Sequence, residues 1–156
     1  MADVFNMQKR REVMASISAK NTKPELLLRK ALHRKGFRYR LHDKCLPGKP
    51  DLVFRGFNAA VFVNGCFWHG HDCQLFKAPA TNREFWETKI ETNRLRDSRN
   101  RDLLLKQNWR VLIVWECSTR GKGRLEFEEL ITNVTNWLKS NENYLEIRGL
   151  LITDAG

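Results

Sequence analysis

Apolar residues along this chain fall into short patterns with two distinct periods. Residues 7–19 set Met7, Val13, Met14 and Ile17 among Lys9, Arg10 and Arg11, the spacing of a short basic amphipathic helix. So short a helix is marginal alone and is expected to fold against the body or a ligand. A firmer helix follows, with Thr22 and Glu25 as a capping box and Pro24 in its first turn. Leu26, Leu27, Ala31 and Leu32 form its apolar face, and Gly36 ends it. FRYRLH (37–42) then alternates with period two, which predicts a half-buried strand. After the loop LPGKP (46–50), the runs DLVF and AAVFV flank Gly56-Phe57-Asn58 and read as a β-hairpin.

Residues 65–80 are irregular and rich in Cys, His and aromatics. Thr81 and Glu84 suggest a second capping box, opening a long helix that runs to about Lys106. WRVLIVWE (109–116) is nearly continuous in apolar residues, as expected of a strand buried on both faces. A helix at about 124–139 and a short tail complete the chain. The order predicts an α/β fold, a mixed central β-sheet flanked by helices, with loops at the strand ends available for a site.

Length and charge add a partner to this picture. The 156 residues suit one domain with an arm, divided here into residues 1–20 and 21–156. The net charge is +10, and residues 1–50 hold 13 basic and 4 acidic side chains, or +9 of it. A basic excess so localised points to a polyanion, either nucleic acid or an anionic membrane surface, against the plainer reading of a solvated face. The N-terminus shows no signal-peptide core, and the longest apolar runs, Ala59–Val63 and Val111–Trp115, are far too short to span a bilayer. The expectation is a cytoplasmic protein whose four cysteines serve thiol or metal chemistry rather than disulfides.

Three constellations carry candidate chemistry. Cys66-x4-His71-x-Cys73, with Cys117 after the buried strand, supplies the three thiolates and one imidazole of a closed, structural zinc site. The plainer reading is three buried thiols, and spacing alone does not choose between His69 and His71 as the ligand. A free His69 would instead be available as a general base. Asp51 opens a strand after Pro50, where a carboxylate suits a hard cation such as Mg2+. The neighbouring strand offers no further carboxylate, although a backbone carbonyl such as that of Val63 could substitute as a ligand; the plainer reading of Asp51 is a loop or turn residue. Aromatics pair up in Phe67-Trp68 and Phe85-Trp86, and such side chains can wedge between base pairs as well as fill a core. Trp86, Lys89 and Asn93 share one helix face among Arg94, Arg96, Arg99 and Arg101. Those arginines suit phosphates, or else simply pair with Glu87, Glu91 and Asp97.

Taken together, LPGKPDLVF, VFVNGCFWHGHDCQLFKAPATNREFWETKIETNRLRD and WRVLIVWEC closely resemble the Vsr family of very-short-patch mismatch-repair endonucleases, from about residue 7 to about residue 120. The resemblance implies a restriction-endonuclease-like fold and Mg2+-dependent nicking of one strand of double-stranded DNA at a T:G mismatch. It implies two Mg2+ ions and one structural Zn2+. Asp51 and the main-chain carbonyl of Val63 would bind Mg2+, Glu25 would hold a metal-bound water, and His69 would act as general base or orient the attacking water. Cys66, His71, Cys73 and Cys117 would hold the zinc. Phe67, Trp68 and Trp86 would wedge in from the major groove and Met14 from the minor groove, with Lys89 and Asn93 near the mismatched pair. One departure stands out: members of the family often carry His where this chain has Asn64. An amide takes no proton at neutral pH, so position 64 retains only hydrogen bonding and His69 is favoured as the active group.

The resulting expectation is a monomeric, nucleoid-associated enzyme that works with mismatch-repair partner proteins. Two rivals are a restriction-like enzyme cutting both strands and a zinc-stabilised DNA-binding module without catalysis.

Overall fold

The computed structural model describes residues 22–151; residues 1–20 of the expected arm, Met14 included, lie outside the described residues. Helix α1 (Lys23–Arg34) begins where Thr22 accepts the Glu25 N–H at 3.4 Å. It ends in a left-handed turn at Gly36, φ +95°, with the Gly36 and Phe37 N–H groups closing on the His33 and Leu32 carbonyls. The short strands β1 (Arg40–Leu41) and β2 (Leu52–Phe54) follow, then β3 (Ala59–Asn64), the long helix α2 (Arg83–Lys106), β4 (Arg110–Trp115), α3 (Phe127–Leu138) and β5 (Tyr144–Ile147). The five strands form one sheet in the order β1-β2-β3-β4-β5, antiparallel up to β3 and parallel from β3 to β5. The mixed sheet flanked by helices is therefore present.

Alternation along β4 builds two cores. Leu112 and Val114 face Leu28 and Leu32 of α1 and Leu130, Ile131 and Val134 of α3. Val111, Ile113 and Trp115 face the opposite side, where Leu104 of α2 packs beside Cys66 and Cys117. A strand with helices on both sides must be apolar at every position, and this accounts for the unbroken run the sequence shows.

Four expectations need correction. The 37–42 segment pairs only at Arg40 and Leu41, both exposed; Phe37 and Tyr39 pack instead on Phe54 from the preceding loop. Helix α2 has no Thr81–Glu84 box: its cap is Asn82, in left-handed geometry at φ +53° and with no side-chain capping bond. Helix α3 begins later than expected, at Phe127. The short tail holds a strand not expected there: residues 144–147 form β5, which pairs in parallel with β4. Its YLEI pattern is too short and too polar to be recognised without its neighbour.

Candidate functional site

Strand directions gather the functional residues at one end of the sheet. Antiparallel pairing of β1, β2 and β3 places His42 just after β1, Asp51 just before β2, and Val63 and Asn64 at the close of β3 side by side. Parallel pairing brings the ends of β4 and β5 to the same edge, so that Asn64 lies opposite Trp115 and Val63 opposite Val114. In sheets of this kind sites form outside the carboxyl ends of the parallel strands.

The first cluster is Cys66, His71, Cys73 and Cys117, whose ligand atoms all lie within 4.8 Å of one another. His71 turns Nδ1 toward the sulfurs, 3.6 Å from the Sγ atoms of Cys66 and of Cys117. Ligands on a tetrahedral zinc are separated by roughly 3.6–3.8 Å, so the donors fit that ion. The choice between the two histidines is thereby made: His71 joins the thiols and His69 does not. Trp115 stacks on the His71 ring at 3.9 Å and 6°, and its indole N–H donates to Glu146 Oε1 of β5 at 2.7 Å. A Cβ on Gly149 would lie 2.2 Å from the Cys117 carbonyl oxygen. Only glycine lets the chain pass this closely, and the Gly149 N–H donates to Cys117 Sγ at 3.3 Å. The Cys66 thiol and that N–H bring the Cys117 thiol down to about 5, against burial, while the same pairing together with burial pushes Cys66 up. Burial lowers His71 and so keeps its imidazole neutral, the form that can ligate. Cys45 is exposed and stands apart from the cluster.

The second cluster is Glu25, His42 and Asp51, also with ligand atoms within 4.8 Å of one another. Glu25 is 1% exposed, and its Oε2 meets His42 Nε2 at 2.8 Å and Arg29 Nη1 at 2.9 Å. Asp51 Oδ2 accepts the Val63 N–H at 2.7 Å. An extended residue directs its N–H and C=O to the same side, so the Val63 carbonyl belongs to the Asp51 side of β3. Burial, with the Glu25 carboxylate adding to it, raises Asp51 to about 7, although the Val63 N–H opposes the shift. Two carboxylates and a strand-end carbonyl are a donor set that suits a hard divalent cation. His42 was not singled out by sequence, where it reads as one more polar position in FRYRLH.

His69 leaves the loop after β3 and directs Nδ1 at the Asp97 carboxylate of α2. A carboxylate acceptor holds the proton on Nδ1 and leaves the Nε2 lone pair free. Asp97 is thus the partner of His69, where the sequence suggested a partner for the surrounding arginines. Asn64 is buried at the end of β3. Gly70 separates the two histidines with φ +60°, and a Cβ there would lie 2.6 Å from Ile90 Cγ2, so the loop rests directly on α2.

Phe67, Trp68 and Trp86 form one group, with ring centroids 5.5–5.8 Å apart. Phe85 continues it at 5.2 Å from Trp86 and is 62% exposed. Lys89 is exposed on the same helix. Asn93 is buried; its amide donates to the Trp68 carbonyl at 3.0 Å, and its Oδ1 accepts from Arg96 at 3.0 Å. In the free protein Asn93 therefore anchors the aromatic loop. Arg94 reaches Glu91 at 3.7 Å on an exposed surface, a pair of little energetic weight.

Comparison with known proteins agrees with this architecture. The family described as DNA mismatch endonuclease Vsr matches residues 2–75. The chain is 43% identical over 138 residues to the DNA mismatch endonuclease Vsr of Escherichia coli, covering 88% of each protein. It is 44% identical over 126 residues to the type II nicking enzyme V.XorIIP of Xanthomonas oryzae pv. oryzae, 81% of this chain and 93% of that one. With V.NmeAIP of Neisseria meningitidis, also a type II nicking enzyme, the identity is 46% over 122 residues, or 78% and 87%. None of the described helices is long and apolar enough to cross a membrane. Identity at this level across nearly the whole fold, with the strand-end clusters in place, assigns the chain to the Vsr family of DNA mismatch endonucleases.

Proposed function

We propose that this endonuclease nicks one strand of duplex DNA beside the thymine of a T:G mismatch, the product of 5-methylcytosine deamination, by Mg2+-dependent phosphodiester hydrolysis on a restriction-endonuclease-like fold. The observation that carries this reading is that Asp51, Val63 and His69 all issue from one end of the sheet, where Asp97 of α2 meets the His69 ring. Asp51 and the Val63 carbonyl would hold the catalytic cation and Glu25 a metal-bound water, with two ions in the site. An ion held by these residues would supply Lewis-acid polarisation of the scissile phosphate and charge stabilisation for the leaving 3′-oxygen. The Asp97 carboxylate fixes the His69 ring, so that Nε2 takes the proton of the attacking water as it approaches phosphorus. Asn64 supplies a hydrogen bond at the same strand end. Cys66, His71, Cys73 and Cys117 would hold one zinc, which stays structural because four protein donors leave no open position.

Recognition follows from cost. A T:G wobble pair is cheaper to unstack than a matched pair, so wedging by Phe67, Trp68 and Trp86 discriminates through deformation energy. Residues 1–20 would serve as the arm that reaches the opposite groove with Met14, and the basic excess of residues 1–50 would supply salt-dependent affinity. Lys89 reaches a base edge and Asn93 steadies the wedge loop. The enzyme acts as a monomer on the nucleoid in the cytoplasm and hands its nick to mismatch-repair partner proteins. The test is incubation of end-labelled duplexes carrying T:G, T:A or C:G at one position, with and without Mg2+. Cleavage confined to the thymine strand of T:G and dependent on Mg2+ is expected. Cuts in both strands would favour the restriction-like reading, and binding without cutting would favour a non-catalytic module.

A further inference from the structure

The role of His42 is left open by the mechanism above. It lies just past β1, with its backbone at φ +47°, a left-handed geometry uncommon outside glycine and frequent at functional positions. Its N–H donates to the Asp51 carbonyl at 3.1 Å, which pins the residue to the strand that carries Asp51. Its Nε2 lies 2.8 Å from Glu25 Oε2 and 3.9 Å from Asp51 Oδ1, with the side chain 19% exposed. Two donors on one ion about 2.1 Å away sit about 3.0 Å apart at right angles and about 4.2 Å apart when opposed. The 3.9 Å between His42 Nε2 and Asp51 Oδ1 falls within that range, so the imidazole lies where a ligand shared with Asp51 belongs, while Glu25 at 2.8 Å holds the ring by a hydrogen bond.

We propose that His42 Nε2 is a direct ligand of the catalytic cation beside Asp51, with Glu25 holding its bound water, making this a mixed carboxylate and imidazole site that prefers Mn2+ to Mg2+. The inference deepens the catalytic reading of Asp51 and rests on it. Mg2+ takes oxygen donors almost exclusively, whereas Mn2+ accepts carboxylates and a nitrogen donor in one shell. In the free cluster a hydrogen bond joins Nε2 and Glu25 Oε2; as a ligand the ring would carry its proton on Nδ1 and turn Nε2 to the cation.

The test is direct binding rather than turnover. Protein purified with zinc, so that the Cys/His cluster is filled, is titrated with MnCl2 and separately with MgCl2 by calorimetry. Bound Mn2+ is followed in parallel by loss of the free-ion paramagnetic resonance signal. Wild type, His42→Gln, His42→Ala and Asp51→Asn are compared, and each is checked for folding by circular dichroism and melting. The expected result is Mn2+ binding at least tenfold tighter than Mg2+ in wild type, a preference that shrinks at least fivefold in both His42 variants. Asp51→Asn should lose both ions. An unchanged Mn2+-to-Mg2+ ratio in folded His42→Gln and His42→Ala would overturn the His42 assignment while leaving Asp51 standing. Retention of both ions by Asp51→Asn would overturn the metal reading of Asp51 itself.

Discussion

The Cys/His cluster and the Glu25–His42–Asp51 cluster occupy the same end of one sheet but are assembled in opposite ways. Three of the four Cys/His donors lie within eight residues of a single loop, and the fourth follows β4. Its polar atoms face one another, and its surroundings, the stacked Trp115 and the Gly149 N–H, hold them there. Each donor of the second cluster comes from a different element, and burial pushes Asp51 toward its neutral form. On the proposed reading, the first cluster keeps the chain folded around a metal, whereas the second sets a carboxylate where burial disfavours its charge, a common mark of a site for chemistry.

The largest effect expected from this contrast is at Cys117. Cys117→Ser should lose zinc and cost on the order of 5 kcal/mol or more of stability, read by metal content and thermal melting. A variant that keeps both its zinc and its melting temperature would erase the distinction between the clusters.

Asp51→Asn should behave in the opposite sense. Nicking should fall by about a thousandfold or more, the loss expected when several kcal/mol of charge stabilisation disappear, while mismatch binding persists. Without metal, the folded Asp51 carboxyl keeps its proton up to about pH 7, whereas the unfolded chain releases it near the ordinary value of 3.8. Folding then takes up a proton between those values, and the metal-free protein loses stability as the pH rises through the window. At pH 8 metal-free Asp51→Asn should therefore melt above wild type, by an amount equivalent to about 2–4 kcal/mol. A lower melting temperature would show that Asp51 serves the fold and not the chemistry.

Asp97→Asn tests the His69 partner. An amide can hold the wrong imidazole tautomer, so nicking should drop roughly a hundredfold with DNA affinity unchanged in a gel-shift assay. Equal turnover would make the pair a surface contact. The smallest effect is expected at Glu146→Ala, which frees the Trp115 indole behind His71. Zinc retention against a chelator should weaken about tenfold with the protein still folded. No change would limit the Cys/His cluster to its four ligands.

Much of this was legible in the chain. The α1 cap, the hairpin of β2 and β3, and the doubly buried β4 are local patterns, and local patterns survive without tertiary context. The spacing of Cys66, His71 and Cys73 announced a metal loop for the same reason. β5 escaped notice because its four residues become a strand only through pairing with β4. His42 and Asp97 escaped because nothing in their own neighbourhoods marks them: each gains significance from a partner 17 or 28 residues away.

The sequence by itself determined which residue types were present for soft and hard metal chemistry, and the periodicity that folds them into an α/β sheet. Tertiary structure decided which histidine joins the thiols, which carboxylate steadies the other histidine, and that a third imidazole lies between Glu25 and Asp51. The reason is geometric. Spacing along a chain fixes neighbours only within a turn or a strand, whereas ligation and proton transfer require atoms within a few ångströms. Here it is strand direction, antiparallel then parallel, that brings such distant residues to one edge.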